Sequence, residues 1–273
     1  MAVLKGATSL VAAVVVLTTA MGCGGESEEA PRYDVPIYTD GSNLVVLEND
    51  RAYEVEIKEI IHRVDSVDFT AGGESHASLT PTGRLWDLLV PDAMAHPNHS
   101  AGGEVAGTLP GPRILAFRQG EVLKMGTGRF LGGDYEGYNF AFSGDRDVEV
   151  PEVEEHFEVP LNPEQDLMAV HRGVVRDGEG NEYELHAEVT ISSFAEVYGG
   201  ALSASIPENK ERGIALTIEP SDDWSESSLY DISFSNLVDD EGVIRINEDT
   251  NGHSLLRTAL GGHEFYGGHP VEE

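Results

Sequence analysis

The chain predicts an all-β fold, an antiparallel β-sandwich with one or two short helices behind a flexible N-terminal tether. Three observations carry that prediction. Apolar and polar residues alternate with a period of two over many short segments, the mark of half-buried strands. Clusters such as Asp177-Gly178-Glu179-Gly180, Gly132-Gly133-Asp134 and Glu219-Pro220-Ser221-Asp222 punctuate those segments with turn chemistry. Helical periodicity is scarce, and many short strands parted by Gly- and Asp-rich turns are the pattern of a sandwich.

In chain order, residues 1–22 (MAVLKGATSLVAAVVVLTTAMG) carry one charge, Lys5, then an apolar stretch densest over Val11–Leu17, then small residues. That is the layout of a secretory signal, too short to span a bilayer comfortably. Residues 23–37 are polar, acidic and proline-containing, and read as a tether. A sandwich domain is expected over 38–250 and a His- and Gly-containing tail over 251–273. Strands are expected at Leu44–Glu48, Tyr53–Ile60, Arg63–Phe69, Arg113–Phe117, Tyr135–Phe142, Leu167–Arg176, Glu182–Ser192, Gly213–Glu219 and Leu229–Phe234. Short helices are expected at Arg84–Leu89 and Ser254–Leu260. No repeat of 20–50 residues is present, which argues against propellers and solenoids.

Cys23 is the only cysteine, so no disulfide can form within the chain. Placed directly after an export signal, it is best explained by lipid attachment. Ala20-Met21-Gly22-Cys23 resembles the bacterial lipobox, with Gly22 and Cys23 carrying the match, and the resemblance implies cleavage before Cys23 and a diacylglycerol thioether on its sulfur. It also implies a cell-envelope location facing the periplasm or the surface. Gly24 stands where an aspartate often marks inner-membrane retention, which favours the outer membrane. The segment Gly128–Phe142 resembles the glycine, acid, aromatic and alternating-strand entry of secreted bacterial β-sandwich families, such as the methanobactin-associated periplasmic protein. This likeness implies fold only.

Removing residues 1–22 leaves 16 Lys and Arg against 49 Asp and Glu, a net charge of −33. Such a surface repels phosphate and excludes nucleic acid as a partner. The acids are scattered along the chain, so a solvated, soluble surface explains them better than a cation-collecting motif does.

Elbow, zincin, phosphate-loop and dinucleotide motifs are all missing, and the protein is expected not to be an enzyme. Asn247-x-Asp249-x-Asn251-Gly252 imitates the start of a calcium loop. Asn247 and Thr258 occupy the positions that need Asp and a bidentate Glu, so a polar turn before the second helix is the better reading. The histidines offer more. His96 and His99 flank Pro97 in a Gly- and Ser-rich loop beside Met94, and His263 and His269 lie in a glycine-rich tail with Glu264. Neutral imidazole suits zinc or copper, so His96, His99, His263 and His269 are the candidate metal ligands. A hairpin over Asp177–Gly180 with an even loop sets His171 opposite His186 on one face, whereas an odd loop sends the rings to opposite faces. His62 reads as part of an ordinary strand.

Two functions follow. One is a non-enzymatic, membrane-anchored lipoprotein that binds zinc or copper. The other is a metal-independent interaction module for a protein or glycan.

Overall fold

Alternation along Arg32–Asp40 buries Val35, Ile37 and Thr39 and forms β1, so ordered structure begins six residues before the expected boundary at 38. The computed structural model describes residues 30–49, 51–71, 103–144, 167, 169–190, 196–222 and 227–271. Along these run β2 (Val46–Glu48), β3 (Glu54–Ala71), β4 (Glu104–Leu109), β5 (Arg113–Arg118), β6 (Val122–Leu131) and β7 (Gly133–Phe142). They are followed by β8 (Ala169–Arg176), β9 (Glu182–Val189), β10 (Glu196–Ile206), β11 (Ile214–Ile218), and the short pair β12 (Ser221–Asp222) and β13 (Ser227–Ser228). Last come β14 (Val243–Ile246), helix α1 (Asn251–Leu260) and β15 (Tyr266–Pro270).

The all-β expectation holds, with α1 as the one α-helix among the described residues. The strands form one large mixed sheet beside the small β12–β13 pair. Its ladder closes on itself in the order β3–β4–β6–β1–β11–β15–β10–β7 and back to β3. Three pairings are parallel, β1–β11, β10–β15 and β14–β9, and each joins segments distant in sequence. Alternation along a strand fixes which side chains face inward but not the neighbour's direction, so the expectation of a purely antiparallel arrangement is corrected here.

The organising strand is β3, expected as two strands but continuous over 18 residues because Ile61 and His62 pair with β5 and β8 rather than turning. Its C-terminal half belongs to the closed ring. Its N-terminal half carries β2 and β5 on one edge and the β8–β9–β14 extension on the other. Aromatic rings fill the interior: Phe69 lies 4.8 Å from Phe130, which meets Tyr135 at 5.2 Å, and Phe140 meets Tyr266 at 5.0 Å. Offset and edge contacts of this kind add to the burial of each ring.

Leu229–Phe234 keeps the alternation of a strand, with Tyr230, Ile232 and Phe234 buried, yet joins no ladder. The Asn49 side chain donates to Tyr230 O and Ile232 O at 3.0 and 3.1 Å, doing for those carbonyls what a neighbouring strand would do. The expected helix at Ser254–Leu260 is α1, extended back to Asn251. The presumed tail is α1 followed by β15, which is paired on both edges inside the main sheet. Arg84–Leu89 lies outside the described residues.

Candidate functional site

Five strands pass small or short residues across one face in a single row: Gly137 of β7, Ala201 of β10, Gly267 of β15, Thr217 of β11 and Asp40 of β1. With no Cβ at Gly267, the middle of the row sinks into an open groove of about 570 Å³. Glu136, Ser203, Thr217, Glu219, Asn43 and His269 stand around it. Thr217 is only 3% exposed, and its hydroxyl has no hydrogen-bond partner among the described residues. A Cβ at Gly267 would come within 2.8 Å of Thr217 Oγ1 and 3.7 Å of Glu219 Oε1. The glycine therefore keeps open the space between a hydroxyl and a carboxylate.

The rim is braced. Asn43 Nδ2 donates to Glu219 Oε1 at 3.2 Å. His269 Nε2 lies 3.1 Å from Asp40 Oδ2, and its Nδ1 lies 2.9 Å from Pro270 O. Burial pushes the Asp40 carboxyl up, but bonds from the Ser42 backbone and side chain together with the nearby His269 outweigh it and hold it below its usual value. Both nitrogens of His269 face protein oxygens, Asp40 Oδ2 and Pro270 O, and a neutral ring with its one N–H donates to one of them at a time.

A second polar cluster lies deep in the protein. His62 and His171 are both fully buried, with their Nε2 atoms 3.4 Å apart. His171 Nδ1 lies 2.5 Å from the Tyr230 hydroxyl, while His62 Nδ1 is buried with no partner among the described residues. Phe142, Tyr266 and Phe117 wall His62, with ring centroids 5.2, 6.0 and 6.1 Å away. Desolvation is the main cause that pushes both imidazoles down, His171 to about 3, so both are neutral at pH 7. A smaller lowering comes from the neighbouring His171 for His62 and from Arg172 for His171.

The expected site residues fall apart in part. Cys23, His96 and His99 lie outside the described residues. His269 lines the groove, whereas His263 belongs to a single 3-10 turn (His263–Phe265) before β15, with Glu264 Oε2 3.9 Å from its Nδ1. Among the described residues no group of three or more His, Cys, Asp or Glu side chains could hold a metal ion. The hairpin takes the odd loop: Arg176 pairs with Glu182 and His171 with Ala187, so His171 points inward and half-buried His186 points out. Asp177 enforces this register, its carboxylate accepting from the Glu179 and Asn181 amides at 2.9 Å each, while Gly180 takes a φ of +84°. The calcium-like loop is a turn: Asn247 Oδ1 accepts from the Asp249 amide and Thr250 Oγ1 donates to Asn247 O.

His62 is the residue that sequence reasoning passed over. The signal was available, since it stands in the run Ile60-Ile61-His62-Arg63-Val64, whose apolar residues on both parities mark a stretch buried on both faces. Thr217, in Ile214-Ala215-Leu216-Thr217-Ile218, carries the same mark. Compared with known proteins, the chain matches no protein-family model, no curated protein and no solved structure.

Proposed function

We propose that this protein is an exported lipoprotein, cleaved before Cys23 and held by its lipid at the envelope, outer membrane favoured, where the β body is a non-enzymatic binding module. The observation that supports it best is the groove over Gly267. It is open, lined with polar groups, and roofed by no segment of the described chain. The His269 nitrogens face Asp40 and Pro270 O rather than the hydroxyls of the groove, which supports binding over acid–base chemistry there. The binding partner expected is a protein or glycan group presented at the envelope.

A second reading, a zinc or copper protein on the same anchor, is favoured by the His62–His171 pair. Two nitrogens sharing a tetrahedral zinc at about 2.0–2.1 Å each are about 3.4 Å apart, and neutral imidazoles are competent ligands. It stands second because the described residues bring no third ligand to that pair.

One experiment addresses both readings. The full chain and its Cys23→Ala variant are expressed in a bacterial host fed an alkyne fatty acid, then fractionated. Label is expected on the membrane-associated wild type and not on the variant, and equal labelling of the two would refute the anchor. Zinc and copper are measured in the same preparations. About one ion per chain, lost in His62→Leu, would move the function to the second reading.

A further inference from the structure

The chemistry around the groove is lopsided, and the imbalance names a ligand class. The nitrogen donors on the rim are already directed elsewhere: the Asn43 amide at Glu219, and both His269 nitrogens at Asp40 and Pro270 O. The β15 amides run between two ladders, with β10 on one side and β11 on the other. Among the described residues that line it there is no lysine or arginine. What faces the groove is acceptor-rich: the carboxylates of Glu219 and Glu136 and the hydroxyls of Thr217 and Ser203. Thr217 is the most telling of these, because the residue is almost wholly buried and yet lines the open groove, with no hydrogen bond from its hydroxyl to a described residue.

A bare metal ion is less well served, since no three His, Cys, Asp or Glu side chains converge among the described residues. An organic cation does. It spreads one positive charge over several N–H donors and can reach more than one acceptor at once. The protein's strongly negative field adds long-range attraction for such a group.

We propose that the groove over Gly267 binds an organic ammonium or guanidinium group, its N–H donors directed at Thr217 Oγ1 and the Glu219 carboxylate. This rests on the binding-module reading above. The same chemistry is offered by a free polyamine and by a basic side chain of another protein.

The test uses the chain from Gly24 onward, which contains the whole compact unit Pro31–Glu273. Putrescine stands for the polyamine and arginine amide for the side chain. Tetramethylammonium is a cation with no N–H, calcium chloride is the inorganic control, and glucose is the neutral hydroxylated one. Binding is read by isothermal titration and by amide shifts of β10, β11 and β15. Putrescine or arginine amide should bind at the groove, whichever is tighter naming the source, with tetramethylammonium at least about tenfold weaker. Glu219→Gln should weaken binding about 10-fold or more, as loss of a charge-assisted hydrogen bond does, and Thr217→Val about 3- to 10-fold. Gly267→Ala should abolish it by filling the cradle, and should that variant misfold by circular dichroism, the other two carry the test. Asp240→Asn, on an exposed turn, should change affinity less than about twofold.

Equal binding of all cations, reduced as much by Asp240→Asn as by Glu219→Gln, would mean diffuse charge attraction and overturn the proposal. Glucose shifting the groove amides while the cations leave them unmoved would overturn it too, yet leave the binding module standing. Groove amides unmoved by every probe would overturn both.

Discussion

Either imidazole of the His62–His171 pair can gain charge only by drawing a proton into surroundings built from Phe117, Phe142, Tyr230 and Tyr266. The consequence for stability has a definite sign. In the unfolded chain both histidines titrate near 6.5, whereas in the fold both are pushed down. Their contribution is complete above pH 6.5 and is lost progressively below it, by about 1.4 kcal/mol per pH unit for each histidine. Half-buried His186 and buried His253 are lowered as well, mainly by desolvation, and act in the same sense. Asp40, Asp177 and Asp239 are also lowered, but from 3.8, so their losses begin around and below pH 4. Urea midpoints followed by circular dichroism at pH 7, 6 and 5 should fall steadily, and His62→Leu should reduce the slope by roughly half of the pair's share. An unchanged slope in that variant would show that the pair is not buried neutral.

At the scale of elements, the fold depends on close backbone approaches along β3. Gly173 of β8 faces the Glu56 carbonyl so tightly that a Cβ there would lie 2.2 Å from the oxygen. Gly173→Ala should therefore force β8 from β3 and destabilise by about 1–3 kcal/mol, the usual cost of overpacking. Gly178, two residues beyond the end of β8, has its nearest neighbour 3.9 Å away, and Gly178→Ala should stay within about 0.5 kcal/mol. Chemical denaturation of the two variants side by side checks the contrast, and similar losses in both would contradict the β3–β8 register. The hairpin they flank was legible as a hairpin from Asp177-Gly178-Glu179-Gly180, but its register was not. One residue in loop length decides whether His171 faces His186 or the core, and the choice lies in the Asp177 hydrogen bonds rather than in the alternation.

For the whole molecule, closure of the ladder gives the C-terminus a role larger than its length. Tyr266–Pro270 lies between β10 and β11, and buried Phe265 and Tyr266 close the core beneath it. A chain ending at Gly261 would leave both flanking strands with an unpaired edge and expose that core. It should lose cooperative thermal unfolding, and the amides of β10 and β11 should lose hydrogen-exchange protection. A truncated protein with a native-like cooperative melt would refute the closed ladder.

The amino-acid sequence by itself determined the β class, the turns, most strand positions, the short helix and the acidic character, because each follows from local periodicity and composition. It also supports the expectation of export and of a lipid on Cys23. It did not reveal β4, β6 or β10, where Gly107, Gly126, Gly128, Gly199 and Gly200 interrupt the apolar alternation that marks a strand, nor β1, most of which lies in an acidic, proline-containing stretch that reads as tether. Tertiary structure alone decided which strands are neighbours, and with them both polar sites. Thr217, Gly267 and Ala201 share a groove, and His62 meets His171, because strands far apart in sequence pair in particular registers. Those registers are set by long-range burial and by a few side-chain-to-backbone hydrogen bonds, which no short window of sequence contains.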